Sequence, residues 1–125
     1  MLTGPDNYYL KQEEPLLSCL LALKDIILGI DNDIIHTRKY RIPFFYYNGK
    51  KLAFLWVQRK KVMVGFIQDK QTLPEIPGIR RKDRVETILL DPDADIPVEY
   101  IMRELQKRLQ LYAACPVADQ GKKQG

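Results

Sequence analysis

The chain has 125 residues, 46 % of them apolar and 29 % charged, with 20 basic against 16 acidic side chains and a net charge of +4. That composition excludes a mostly disordered chain, which would be poorer in apolar residues, and the length suffices to bury a core without covalent staples. The two cysteines, Cys19 and Cys115, leave room for one disulfide but not for a disulfide scaffold, and both read as small packing residues in or beside apolar helical patterns. The longest apolar run, Leu16 to Ile30, is interrupted by Lys24 and Asp25 and is too short and polar to span a bilayer. Met1 to Gln12 lacks the basic-then-apolar order of a secretory leader, so the expectation is a cytoplasmic protein.

In chain order, Asp6 to Gln12 suggests a short helix with Asp6 as its cap. Pro15 fits the first turn of a longer helix, because its missing N–H has no intrahelical partner there. Leu16, Leu20, Leu23 and Ile27 repeat at helical spacing, Leu17, Leu21 and Leu28 widen the stripe, and Gly29 with Asp31-Asn32-Asp33 stops it. Phe44 to Tyr47 and Leu52 to Val57 then read as strands. Asn48-Gly49 between them is a strong hairpin signal, since both residues tolerate positive φ. A second tight connection at Arg59-Lys60 leads into Val62 to Phe66, which makes a three-stranded meander begun by Pro43. Pro74, Pro77 and Gly78 mark a loop. Val85 to Leu90 is a fourth strand, Asp91 to Asp95 a turn, and Pro97 opens a last helix. Its core stripe is Val98, Ile101, Met102, Leu105, Leu109 and Tyr112; its wet face is Arg103, Lys107, Arg108 and Gln110.

This order predicts one α+β domain over residues 1–115, with a flexible polar tail from 116 to 125. The simplest packing is a two-layer sandwich: an antiparallel sheet of four to six strands with the N-terminal and C-terminal helices on one face. The other face would show alternate side chains of the aromatic strands, and a homodimer through it is compatible with the pattern.

Catalytic sets are weak. The single histidine, His36, could pair with Cys115 only with a third orienting group and an oxyanion site, and Cys115 at the end of the last helix is a poor place to hold geometry. No glycine-rich loop joins a strand to a helix. Asp91-Pro92-Asp93-Ala94-Asp95 begins like a calcium loop, but Ile96 stands at the glycine position and Met102 at the closing glutamate. Two cysteines and one histidine show no zinc spacing.

The basic residues are more informative. From Thr37 to Lys61 there are eight and no acid: Arg38, Lys39, Arg41, Lys50, Lys51, Arg59, Lys60 and Lys61. Aromatic residues are interleaved with them. Two readings follow. Tyr40, Arg41, Pro43, Phe45, Tyr47 and Trp56 line a concave site for a small anionic or planar ligand, or the same charges and rings serve phosphates and bases of a single-stranded nucleic acid. Against both stands the ordinary use of lysines at hairpin edges and of aromatics in cores.

The run Lys39-Tyr40-Arg41-Ile42-Pro43-Phe44-Phe45-Tyr46-Tyr47-Asn48-Gly49-Lys50 resembles the YdhG-like family, a domain of unknown function in which an aromatic-Pro-Phe segment enters a hairpin closed by Gly-Lys. Val64-Gly65-Phe66, Ile88 to Leu90, Asp95-Ile96-Pro97 and the Gln12 to Pro15 helix entry are similar to the family as well. The resemblance covers roughly residues 6 to 113. It implies a frataxin-like α+β fold. One group of the family is described as an iron chaperone, holding iron on carboxylates of an acidic helix and strand edge. Here the carboxylates left for iron are Asp31, Asp33, Asp91, Asp93 and Asp95.

The expected function is therefore a small non-enzymatic binding protein without a resident cofactor. It takes a small anionic or planar ligand, or a protein partner, on the aromatic-basic surface of Tyr40, Arg41, Phe45, Tyr47 and Trp56. The first alternative is iron delivery, and the second is single-stranded nucleic-acid binding.

Overall fold

The structure, a computed structural model, describes residues 5–114; the expected tail and Cys115 lie outside them. The elements run α1 (Pro5–Leu10), α2 (Leu16–Leu28), β1 (Ile35–Lys39), β2 (Ile42–Tyr47), β3 (Lys50–Gln58), β4 (Lys61–Gln68), a 3-10 turn at Lys70–Thr72, β5 (Arg84–Leu90) and α3 (Val98–Ala114). The strands form one antiparallel meander in the order β1-β2-β3-β4-β5. The helices pack on one face, so the fold is α+β and a two-layer sandwich. No helix among the described residues is long and apolar enough to cross a membrane.

Three local differences from the sequence expectation have physical causes. The first helix begins at Pro5, so Asp6 lies inside it instead of capping it. The strand β1 reads Ile-His-Thr-Arg-Lys, a polar edge whose apolar signal is weak because an edge strand needs charge more than it needs burial. Arg108, expected on the wet face of α3, has a side chain only 11 % exposed. Its Nη1 donates to Glu104 Oε1 at 3.1 Å, and its guanidinium lies 5.5 Å from the centre of the Phe66 ring. A guanidinium can lie flat on an aromatic face while its charge is met by a carboxylate.

The core lies between the helices and one sheet face. Cys19, Leu20, Leu23 and Ile27 of α2 and Ile101, Leu105, Leu109 and Tyr112 of α3 are buried. Opposite them stand Phe45, Ala53, Leu55, Val62, Val64 and Phe66, all with zero exposure. Each fully buried aliphatic of this set contributes about 1.5–3 kcal/mol. Val98, expected in the stripe of α3, is 39 % exposed at the helix start.

The Tyr112 hydroxyl pins the far end of α3 to the sheet. It accepts the Asp69 N–H at 2.8 Å and lies 2.7 Å from both the Lys51 and the Ile67 carbonyl oxygens. One hydroxyl thus serves three backbone groups where β3 begins and β4 ends, and its burial pushes the phenol well above its ordinary range. Replacing it strands polar backbone without water. Tyr112→Phe should therefore cost about 1–3 kcal/mol of folding free energy in a urea titration, although the ring's apolar contacts are kept.

Candidate functional site

The uncovered face of the sheet carries a groove of about 470 Å³, lined by Tyr40, Ile42, Phe44, Lys51, Phe54, Trp56, Ile67, Asp83 and Val85. That volume falls within the range of small-molecule sites. Its lining comes from alternate positions of β2, β3, β4 and β5, as a pleated strand requires. Phe44 and Phe54, directly opposite in the β2–β3 ladder, stack at 5.6 Å between ring centres and floor the groove.

Gly65 makes that floor possible. It pairs with Phe54 across β3–β4, and a Cβ added there would run into the Phe54 ring. The absent side chain lets the ring lie flat over β4, a close approach that glycine alone permits.

The groove ends in an ion pair. Lys51 Nζ lies 3.0 Å from Asp83 Oδ2 and 4.0 Å from Asp69 Oδ2. Asp83 Oδ1 accepts the Lys70 N–H at 2.8 Å, and Asp69, almost fully buried, accepts the Lys51 and Gln71 N–H groups. Burial alone would push the Asp83 carboxyl up, but the Lys70 N–H and the Lys51 ammonium outweigh it and hold the carboxyl below its usual range.

Of the residues the sequence nominated, Tyr40 and Trp56 line the groove and are 74 % and 42 % exposed. Arg41 is exposed beside Tyr40 in the β1–β2 turn. Phe45 is not part of it. It is fully buried on the helix-covered face, stacked 4.7 Å from His36, whose Nε2 lies 2.8 Å from the Tyr9 hydroxyl. Tyr47 also packs against the core on that side, where burial and then the charges of Asp31 and Asp33 push its phenol up. The cause is a β-bulge. Phe45 pairs with Ala53 but Tyr46 with Lys51, which leaves Leu52 unpaired. An extra residue in one strand shifts which side chains face which layer.

Ile42, Ile67, Asp83 and Val85 escaped the sequence reading, and Phe44, Lys51 and Phe54 entered it only as members of the aromatic-basic stretch. Alternation with Trp56 along β3 was the available signal for Phe54.

The five aspartates of the iron reading do not come together. Asp31 and Asp33 follow the end of α2, while Asp91 and Asp93 line a separate hollow with Glu13, Glu14, Pro15 and Leu16 at its start. The helix between has 13 residues, about 20 Å at 1.5 Å per residue. Asp31 and Asp91 each use an Oδ1 to accept the N–H two residues on, at 2.8 and 2.9 Å, which is the work of turn residues. Among the described residues, no three His, Cys, Asp or Glu side chains form a group that could hold a metal ion.

Two outcomes test this geometry. Gly65→Ala should destabilise the protein by about 1–3 kcal/mol through overpacking, and should cost much less in a Phe54→Ala background, where the new methyl has room; urea titrations of the four proteins give the comparison. The second concerns pH. A carboxyl held below its ordinary value contributes stability that is fully present above about pH 4 and is lost as pH falls through the lower folded value. Asp83→Asn should therefore lower the melting temperature near neutrality, and its deficit should shrink between about pH 4 and pH 2.

No family model matches the chain, and neither a curated protein nor a solved structure does.

Proposed function

We propose that this is a binding protein, not an enzyme, which takes a planar, anionic ligand into the groove on the uncovered face of its sheet. The observation that carries this reading is the groove itself: a ring-floored trough of about 470 Å³ with exposed Tyr40 and Trp56 on its walls and with Lys39 and Arg41 beside Tyr40. Flat apolar walls favour a planar ligand, because rings stack with offset faces. Unpaired cations nearby favour a negative one. The polar pair inside the groove, Lys51 and Asp83, is engaged with itself, which suits holding a ligand better than transforming it. Iron delivery finds less support, because the candidate carboxylates divide between the two ends of α2.

The chain has a single tryptophan, and it lines the groove, so its fluorescence reports occupancy directly. An anilinonaphthalene sulfonate probe should quench Trp56 emission by energy transfer in the folded protein. Tyr40→Asn and Phe54→Ala should each weaken the probe about three- to tenfold, in line with about 0.5–1.5 kcal/mol for a lost aromatic contact, with the far-ultraviolet circular dichroism unchanged. Unaltered probe affinity in both variants would place the site elsewhere.

A further inference from the structure

The class of ligand can be narrowed from the end of the groove that Tyr40 and Trp56 occupy. We propose that the ligand is a single-stranded polynucleotide, its bases laid on Tyr40 and Trp56 and its phosphates on Lys39, Arg41 and Arg59; this rests on the groove being the ligand site.

Strand direction brings these residues together. In an antiparallel meander alternate hairpin tips point the same way, so the β1–β2 tip (Tyr40-Arg41) and the β3–β4 tip (Arg59-Lys60) lie at one end of the sheet. The β2–β3 ladder pairs Phe44 with Phe54, and two residues further on it sets Ile42 level with Trp56. Rings and cations are thus spread over about two strand spacings, about 10 Å. That is wider than one phosphate needs and suits a chain of them.

The backbone at both tips is strained. Tyr40, Arg41, Arg59 and Lys60 have φ of 56°, 66°, 53° and 63°, the left-handed region, which L-residues with large side chains rarely adopt. The same sheet makes its β2–β3 turn with Asn48-Gly49, the pair that fits such a turn with least strain. At the groove end, by contrast, an aromatic and three long cations are kept in spite of the conformational cost. Strain held in this way marks positions where side-chain chemistry outranks backbone comfort.

The charge is complementary to a polyanion. The one carboxylate that lines the groove, Asp83, is already held by Lys51 at 3.0 Å, and Asp91, held by Lys61 at 3.6 Å, belongs to a separate hollow. Lys60 lines the acidic hollow with Glu13, Glu14, Asp91 and Asp93, so it turns away from the groove. Lys39, Arg41 and Arg59 have no carboxylate partner among the described residues. Lys39 Nζ stands 5.3 Å from the Tyr40 ring centre and 5.9 Å from that of Tyr46. A base stacked on Tyr40 would therefore carry its phosphate beside an ammonium. Unpaired bases offer π-faces to such rings, whereas a duplex keeps its bases stacked inside.

The test uses the full chain, labelled oligothymidylate and oligouridylate of about twelve nucleotides, and two readouts, fluorescence anisotropy and Trp56 emission. We expect at least one single strand to bind with quenching of Trp56. Its affinity should fall with salt at a log–log slope of about −2, as three neutralised phosphates require. A duplex of the same length and inorganic polyphosphate should compete at least about tenfold less well. The paired substitution Arg41→Gly with Arg59→Asn removes two cations and relieves left-handed strain. It should raise the melting temperature while weakening the oligonucleotide about tenfold or more, a combination that misfolding cannot produce. Polyphosphate competing as well as the single strands, a flat salt response, or an unchanged affinity in the paired variant would overturn the proposal. If the single strands fail while the naphthalene sulfonate still quenches Trp56, the polynucleotide is wrong and the groove stands. If both fail, the groove reading falls with it.

Discussion

A sheet has two faces, and the described residues hold helix enough for one. α2 and α3, of 13 and 17 residues, span about 20 and 25 Å, close to the width of five strands at about 4.8 Å each. Together with α1 they seal one side. The other side must manage its own apolar side chains, and it does so with rings packed against one another. Phe44 and Phe54 stack on each other, Tyr40 meets the edge of Phe44 at 5.8 Å, and Tyr46 lies 6.0 Å away. A ring flat on a sheet shields backbone that a branched side chain would leave open, but it needs space beneath it. Gly65 supplies that space. The groove is thus the consequence of an incomplete layer covered by aromatic residues, and its shape depends on one missing methyl group.

Much of the architecture was legible in the sequence. The apolar spacing of α2 and α3 survives almost residue for residue in the core, the Asn48-Gly49 turn stands where local chemistry puts it, and the Arg59-Lys60 turn stands where the flanking strands place it. The choice of face was harder to read. A regular ladder running back from Asn48-Gly49 would set Phe45 opposite Leu52 and Ile42 opposite Leu55, and would turn Phe45 and Tyr47 toward the same side as Trp56. The bulge at Leu52 reverses this. One extra residue exchanges the core set for the surface set, and nothing in Lys-Lys-Leu-Ala announces it locally. Tyr40, Arg41 and Trp56 were found because their chemistry does not depend on that parity: two sit in a turn and one on the far side of the bulge.

The two ends of the molecule differ in character, and the difference supports one of the readings that composition alone leaves open. At the end where Asn48-Gly49 turns, Tyr112 and Asp69 knit α3, β3 and β4 into a network of buried hydrogen bonds, and Lys51 is neutralised twice over. Rigidity is concentrated there. At the other end the hairpin tips carry strained, charged, solvent-facing residues, and among the described residues no comparable network forms on the groove side. A net charge of +4 is modest, but it understates the field beside Tyr40 and Trp56, because Lys39, Arg41 and Arg59 have no carboxylate partner among the described residues. Aspartates scattered to opposite helix ends, with Asp31 and Asp91 each closing a turn, do the ordinary work of turn residues. Sequence separation alone could not show that Asp91 and Asp93 come to the start of α2 while Asp31 and Asp33 follow its end.

The account stands or falls on which surface a ligand touches. Amide chemical-shift mapping by nuclear magnetic resonance, with the unlabelled single strand added to isotope-labelled protein, reads this residue by residue. The account predicts that shifts concentrate on Lys39 to Phe44, on Phe54 to Arg59 and on the neighbouring positions of β4, with α2 and the outer turns of α3 unmoved. Shifts gathered instead on the helices, or in the acidic hollow of Glu13, Glu14 and Asp93, would contradict it.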